Sequence, residues 1–172
     1  MKAWLRIPSS RGATSRGSRL PTKRNEAIIV EYVPSTSEWV RNQVELYESS
    51  GGTDGTTLRD SGLPVIIVTN TGNKTGAIRK TPLMRVKDGE HYVLVGSKGG
   101  APAHPVWVHN LRANQDVEIR DQTEVQRMRV REVEDGPERA HLWEVAVAAY
   151  PPYAEYQQRA ERTIPVFVAE PV

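Results

Sequence analysis

The chain has 172 residues, of which 26% are charged, with a net charge of +2 at pH 7. This length fits one domain with a sizeable core. The absence of cysteine excludes disulfides, thiolate nucleophiles and cysteine-based zinc sites. None of the four histidines pairs with a carboxylate at the spacing of a helical metal site, so we expect no metal centre.

The basic charge is concentrated at the N-terminus. Residues 1–24 carry seven of the 23 lysines and arginines and none of the 21 acidic residues, so the rest of the chain is net acidic. A basic segment rich in serine and glycine is typical of disorder. We therefore predict a disordered tail over residues 1–34 and a single domain over residues 35–172. The tail is an extension without a role, an electrostatic arm for nucleic acid or anionic lipid, or a targeting segment, and we favour the first.

The first predicted element is a helix. The sequence Ser35-Thr-Ser-Glu38 resembles a capping box. Four apolar side chains then fall on one helical face: Trp39, Val40, Val44 and Tyr47. We predict that the helix ends near residues 49–52, before a loop to residue 62. Packing on the core is the favoured interpretation of the apolar face, and contact with a membrane surface is the alternative.

Strand patterns follow this helix. Leu63 to Thr69 is a β-branched run that predicts a buried strand. After a glycine loop at 72–76, Thr81–Lys87 and His91–Gly96 are predicted to form a hairpin around Asp88-Gly89. The later predicted elements are a helix at 105–114, strands at 117–120 and 125–133, a helix at 138–149 and a strand at 164–168.

The overall pattern is mostly β. Met128 and Val130 alternate with arginines 127, 129 and 131, which predicts one buried and one solvated face for that strand. The spacing of a doubly wound sheet and the Gly-x-Gly-x-x-Gly fingerprint are both absent. We therefore predict an α+β fold, a small and mostly antiparallel β-barrel with flanking helices. No run of eighteen apolar residues occurs, so we predict no membrane span and expect a cytoplasmic protein.

Two loops have the composition of an anion site. Residues 69–79 and 96–100 combine glycine and hydroxyl residues with the cations Lys74, Arg79 and Lys98. Backbone N–H groups freed by glycine, together with such cations, bind phosphates and polycarboxylates. These three residues are the predicted clamp of an anionic cofactor; the alternative is that exposed lysines merely solvate a hairpin. The first loop departs from a Walker A sequence, so ATP hydrolysis is not indicated.

Three tyrosines form the second candidate group. Tyr150, Tyr153 and Tyr156 are spaced by three, which places them on one face if the segment is helical. Such tyrosines could stack on a planar ring and donate protons to a reduced product. The alternative, which the residues alone favour, is an aromatic edge of the core. Trp107 likewise is either a neighbour of the cofactor or, as is commoner for tryptophan, a residue of the core.

Five motifs in register resemble the deazaflavin-dependent nitroreductase family of actinobacteria, over about residues 38–170. They are Thr-Gly-x-Lys-Thr-Gly-x-x-Arg-x-x-Pro-Leu (71–83), Gly-Ser-Lys-Gly-Gly-Ala (96–101), Pro-x-Trp-x-x-Asn-Leu-x-Ala-Asn (105–114), Tyr-Pro-x-Tyr-x-x-Tyr-Gln (150–157) and Arg-Thr-Ile-Pro-Val (162–166). The resemblance implies an FMN-binding-like split β-barrel. It also implies coenzyme F420, a 5-deazaflavin with a phosphate and an oligoglutamate tail, as the cofactor in preference to FMN.

The resemblance also implies roles for individual residues. The implied cofactor-binding residues are Lys74, Thr75, Arg79, Pro82, Val95, Gly96, Lys98, Val106, Trp107 and Asn110. Of these, Lys74, Thr75, Arg79 and Asn110 would surround the phosphate and the tail. Val95, Gly96, Lys98, Val106 and Trp107 would surround the deazaflavin ring. The implied catalytic residues are Ser97, Tyr150, Tyr153 and Tyr156, with Met84 and Trp39 as further substrate contacts. Relatives that reduce nitroimidazoles tend to have tyrosine at the position of Met84, so turnover of bulky nitroaromatics is not implied.

The implied activity is hydride transfer from reduced F420 to a quinone, a nitro compound or an activated alkene. A menaquinone acceptor would make the Trp39–Tyr47 helix a lid or a peripheral contact with the inner face of the membrane. One alternative is a non-catalytic carrier of a deazaflavin, flavin or haem. Another is nucleic-acid binding through the tail, which we do not expect because only Trp4 interleaves with its charges. The oligomeric state stays open.

Overall fold

The computed structural model describes residues 30–172, and residues 1–29, which hold most of the predicted tail, lie outside it. The strands of the described part are β1 (Val65–Thr71), β2 (Ile78–Met84), β3 (Lys87–Asp88), β4 (His91–Val95), β5 (Asp116–Asp121), β6 (Glu124–Glu132) and β7 (Val166–Pro171). Its helices are α1 (Glu38–Ser49), α2 (Val106–Ala113), α3 (Pro137–Ala149) and α4 (Pro152–Arg159). Short 3₁₀ turns lie at Arg59–Ser61 and Lys98–Gly100.

The strands form one antiparallel sheet in the order β2-β1-β5-β6-β7-β4-β3. This sheet curls into half of a barrel and carries helices on both faces, which confirms the predicted antiparallel split-barrel fold class. In β6, Met128 and Val130 are buried and the intervening arginines are exposed, as the alternation predicts.

Helices cover both faces of β1, which explains its continuous apolar run. Ile66 and Val68 share a core cluster with the side chains of α2. Val65 and Ile67 point to the opposite face and pack with Tyr47 and its neighbours on α1. Successive strand residues face opposite ways, so a strand covered on both sides has no polar face.

The same division continues across the sheet. Leu94 of β4 and Phe167 of β7 belong to the cluster formed with α2. Val93 and Val168 belong to a second cluster with α3, α4 and the buried Tyr153. The sheet thus separates the environment of α2 from that of the tyrosines.

Residues 31–33 pair with the first residue of β2. Ile78 N–H donates to Glu31 O at 2.9 Å, and Val33 N–H donates to Ile78 O at 3.0 Å. The Arg79 guanidinium also donates to Val33 O, at 3.3 Å. Glu31, Tyr32 and Val33, which belong to the segment predicted as tail, therefore contact the domain.

The predicted hairpin of Thr81–Lys87 with His91–Gly96 is wrong in its pairing. Residues 78–84 pair with β1 instead, in a register that sets Val65 opposite Met84. Lys87 and Asp88 pair with β4, and Val86 O accepts from Val93 N–H of that strand at 2.9 Å. The apolar β1 run, joined to β2 by a short glycine loop, provides a seven-residue partner that the 91–96 segment cannot match.

The predicted capping box is also wrong. The residue that precedes α1 is Ser37, and its side chain makes no capping hydrogen bond. Ser37 N–H donates instead to Ser35 Oγ at 3.2 Å. The Arg41 guanidinium holds this turn by donating to Ser35 O and Thr36 O, each at 2.9 Å.

The buried Tyr47 joins α1 to two parts of the sheet. Its hydroxyl donates to Val65 O at 3.0 Å and accepts from Gln122 N–H at 2.7 Å. Tyr47→Phe leaves both backbone groups unpaired, so we expect the free energy of unfolding to fall by about 1–3 kcal/mol. Urea denaturation measures this change. The exposed Tyr32 supplies the control, and an equal loss in Tyr32→Phe would contradict the prediction.

Candidate functional site

A cleft of about 470 Å³ opens where α1, β2, α2 and the β1–β2 loop meet. Its apolar lining consists of Val33, Val40, Pro82, Val106 and Trp107. Its polar lining includes the hydroxyl residues Ser35, Thr36, Thr75 and Thr81 and the cations Lys74, Arg79 and Lys80. No acidic residue is among the lining residues of the described chain. This chemistry suits a ligand with a planar apolar part and a negatively charged part.

Two of the three cations supply most of the positive charge. The Lys80 ammonium is paired with Glu48 at 3.1 Å, on α1, which offsets its charge. Lys74 and Arg79 form no ion pair with any residue from 30 to 172. The exposed Lys74 and the half-buried Arg79 are therefore available to an anion.

Buried amides hold the glycine loop at one end of this cleft. Asn110 on α2 and Asn70 on β1 are each 2% exposed. Asn110 Nδ2 donates to Asn70 Oδ1 at 2.9 Å, and Asn110 Oδ1 accepts from Asn73 N–H at 2.9 Å. The loop that carries Lys74 and Thr75 is thereby fixed to both the sheet and α2.

A second loop, Gly96–Ala101, follows β4. Gly96 lies so close to α2 that an added Cβ would come within 2.8 Å of Val108 Cγ2. Ser97 is buried, whereas Lys98 is exposed and has a left-handed backbone with φ of 45°. Lys98 lines a separate hollow beside Arg159. The structure therefore does not place the third predicted clamp residue in the same cleft as Lys74 and Arg79.

The three tyrosines come together at the junction of α3 and α4. Their ring centroids lie 5.0 to 6.3 Å apart. The hydroxyls of Tyr150 and Tyr156 lie 3.3 Å apart, and the hydrogen bond between them, with burial, raises the pKa of Tyr150 to about 12. Burial raises the pKa of Tyr153 still further. At neutral pH the hydroxyls of Tyr150 and Tyr153 are therefore proton donors and not bases.

Met84 lies between these tyrosines and α1. It packs against both the tyrosine cluster and the cluster around Val44 and Tyr47. It is two residues from the cleft residue Pro82 on β2, so the two side chains share a face. Trp39 is 40% exposed at the start of α1, with the Arg59 guanidinium 5.1 Å from its ring centroid.

The structure brings most of the predicted cofactor-binding residues together. Those that line the cleft are Lys74, Thr75, Arg79, Pro82, Val106, Trp107 and Asn110. Val95, Gly96 and Lys98 lie outside its lining, with Val95 buried in the core between the sheet and α3. The sequence did not identify Asn70, because the pattern around it predicts only a β-strand. No local pattern predicts its contact with α2.

Among residues 30–172, no group of three histidine, aspartate or glutamate side chains could hold a metal ion. In the same range, no helix combines the length and the apolarity needed to cross a bilayer.

A curled antiparallel half-barrel with flanking helices is the architecture of the FMN-binding split-barrel class. The sequence profile of the F420H2-dependent quinone reductase family matches residues 39–171. The chain belongs to this family.

Named relatives support the same family assignment. An F420H2-dependent quinone reductase of Mycobacterium tuberculosis is 39% identical over 107 residues, which are 61% of this chain and 72% of that protein. A solved F420H2-dependent reductase, FDR-A, is 49% identical with a TM-score of 0.59, over 62% of this chain and 94% of its own. A structure described as a domain-swapped dimer is 47% identical with a TM-score of 0.61, over 79% of this chain and 100% of its own.

Family membership confirms the predicted resemblance, the oxidoreductase class and coenzyme F420 as cofactor. The residues of the cleft also fit this coenzyme. Lys74 and Arg79 match its phosphate and oligoglutamate carboxylates, and Val106 and Trp107 offer an apolar surface for its ring. The assignment of individual residues to parts of the coenzyme stays a prediction.

Removing the Asn70 amide tests the support of the glycine loop. Asn70→Ala leaves Asn110 Nδ2 without its acceptor, so we expect unfolding to become easier by about 1–3 kcal/mol. We also expect F420 binding to weaken, because the Lys74 loop loses its fixed position. Fluorescence titration with oxidised F420 measures the second effect. Asn114→Ala at the exposed end of α2 is the control, and equal affinities for the two variants would contradict the prediction.

Proposed function

We propose that this protein reduces a quinone with F420H2, using the cleft between α1, β2 and α2 to hold the coenzyme. The observation that carries the proposal is the composition of the cleft. Within residues 30–172, it combines an apolar wall with two cations that form no ion pair, and its lining contains no acidic residue. An acidic side chain there would repel a coenzyme that carries a phosphate and several carboxylates.

The coenzyme would lie with its charged end toward the glycine loop. Lys74 and Arg79 would pair with the phosphate and the carboxylates, and the Thr75 hydroxyl would add a donor. The deazaflavin ring would lie against the apolar wall near Pro82 and Trp107. Lys98 and Ser97 would approach from the loop after β4, as the family resemblance implies.

When bound, reduced F420 supplies a hydride, so the protein contributes orientation and a proton source. A quinone becomes a hydroquinone by taking up one hydride and one proton. Tyr150 and Tyr156, whose hydroxyls lie 3.3 Å apart, would donate hydrogen bonds to the quinone oxygen as it becomes negative. The raised pKa of Tyr150, about 12, keeps that hydroxyl protonated at neutral pH. The buried Tyr153 would support the other two rings.

The acceptor would lie next to Met84. This residue connects the cleft face of β2 with the tyrosine cluster, and its flexible side chain can adapt to a flat apolar molecule. Trp39, exposed at the start of α1, would border the same space.

The outer face of α1 is a candidate peripheral contact with the membrane, where quinones such as menaquinone reside. Trp39 and Leu46 are seven residues apart, hence on one helical face, and are 40% and 49% exposed. This contact supports delivery of an apolar acceptor and is separate from the chemistry of the cleft.

Turnover distinguishes the reductase from a coenzyme carrier of the same fold. We expect the protein to oxidise F420H2 anaerobically only when a quinone such as menadione is present, as measured by the recovery of F420 fluorescence. The double variant Tyr150→Phe, Tyr156→Phe should lower kcat by about 10²-fold while coenzyme binding persists. Binding of F420H2 without any quinone-dependent oxidation would support the carrier instead.

The charge of Lys74 can be tested by itself. Lys74→Gln removes one cation from the cleft, so we expect the Kd for F420 to rise about tenfold and its dependence on salt to weaken. Arg127→Gln removes an exposed cation of β6 that does not line the cleft, and serves as the control. Equal effects of the two substitutions would show that net charge, and not the site, attracts the coenzyme.

A further inference from the structure

Arg162 lies just before β7, and its guanidinium donates hydrogen bonds to the loop after β4. Its Nε donates to Ala101 O at 2.9 Å, its Nη2 to Ser97 O at 2.9 Å and its Nη1 to Gly96 O at 3.2 Å. Nη1 also lies 2.8 Å from His104 Nδ1. Arg162 is half-buried and forms no ion pair within residues 30–172, so loop carbonyls replace the usual carboxylate partner.

The loop that Arg162 holds is locally strained. Lys98 has a left-handed φ of 45° although it is not glycine, and Gly99 and Gly100 follow with φ of 63° and 79°. Such a backbone persists only where surrounding contacts fix it. Arg159 on α4 adds one contact by donating to Gly99 O at 3.3 Å. Arg162 is therefore the main side-chain support of the loop.

His104 must be neutral to serve as the fourth acceptor. A guanidinium only donates, so Nδ1 accepts and the ring proton lies on Nε2. Burial lowers the pKa of His104, and the charges of Arg162, Arg112 and His109 lower it further, while Glu132 opposes them. A protonated imidazole would place a second positive charge 2.8 Å from the guanidinium.

We propose that Arg162, with neutral His104 as its acceptor, is a positioning residue that keeps the 96–101 loop in the shape that presents Lys98 to the coenzyme and Ser97 to the acceptor. The proposal rests on the proposed function for the roles of Lys98 and Ser97. The contacts of Arg162 with His104 and with the loop, which we call the Arg162 clamp, involve only residues of this chain. It can therefore be tested with and without the coenzyme.

Amide exchange in the coenzyme-free protein tests the clamp. Gly100 N–H donates to Ser97 O and Ala101 N–H to Lys98 O, so both amides report on the loop. Arg162→Lys keeps the charge but cannot reach all the acceptors. We expect exchange at these two amides to accelerate at least tenfold.

Arg139→Lys is the matched control. Arg139 is also half-buried and donates to a backbone carbonyl, Ile164 O at 2.6 Å, but it does not contact the loop. We expect its loop amides to exchange as in the wild type and its F420 affinity to be unchanged, whereas Arg162→Lys should bind F420 about tenfold more weakly. Equal loop exchange in the two variants would overturn the clamp.

The pH dependence gives a second readout, one that a general loss of stability would not produce. Because folding lowers the pKa of His104, the clamp is intact above the usual histidine pKa. It weakens progressively as the pH falls from there through the lowered pKa of the folded protein. Between about pH 7.5 and 5.5, protection of Gly100 and Ala101, corrected for intrinsic exchange, should fall in the wild type. It should stay constant in His104→Gln, whose amide oxygen accepts at every pH.

The outcomes separate this proposal from the proposed function. If the wild type binds F420 but Arg162→Lys matches Arg139→Lys in loop exchange, the clamp is refuted alone. If the wild type does not bind F420, the proposed function is refuted, and amide exchange still decides the clamp. Should Arg162→Lys not fold, the comparison of His104→Gln with the wild type decides it, and identical pH profiles would overturn it.

Discussion

A hydrogen bond between two buried asparagines ties the main helix of the cleft to the sheet. Asn110 Nδ2 donates to Asn70 Oδ1 at 2.9 Å, and Oδ1 of the same Asn110 amide accepts from Asn73 N–H. Burying these polar groups is unfavourable unless each finds a partner, so the three elements that carry them must keep one arrangement. The position of Lys74, and with it the anionic end of the site, depends on this contact.

The sheet also separates the cleft from the tyrosine cluster. Its β1–β2 end, with α2, forms the cleft that would hold the coenzyme. The opposite face at β4 and β7, with α3 and α4, carries the tyrosines that would donate to the acceptor. Met84 at the end of β2 contacts the second region, while Pro82 on the same strand face lines the first.

Much of this could be predicted from the sequence because the signals are local. The apolar run at 63–69 and the alternation around Met128 depend only on strand geometry, and the glycine loops with Lys74 and Arg79 depend only on composition. The five motifs identified the family, which the match over residues 39–171 confirms.

The errors and omissions concern contacts between distant residues. The strand that pairs with β2 is the apolar strand that covers it better, and no local sequence pattern predicts which strand that is. Asn70 and Arg162 are ordinary residues of a strand and a loop. The importance of Asn70 follows from a side chain 40 positions away, and that of Arg162 from three backbone carbonyls and one side chain 58 to 66 positions away. Ser35 resembles a capping residue, but Arg41 fixes the turn in another way.

The most direct test of the account is a fluorescence titration of the purified protein with oxidised F420, with FMN titrated in parallel. We expect saturable binding of F420 and far weaker binding of FMN, because Lys74 and Arg79 can pair with an oligoglutamate tail that FMN lacks. Equal or tighter binding of FMN, or no binding of F420, would contradict the assignment of the cleft to the deazaflavin coenzyme.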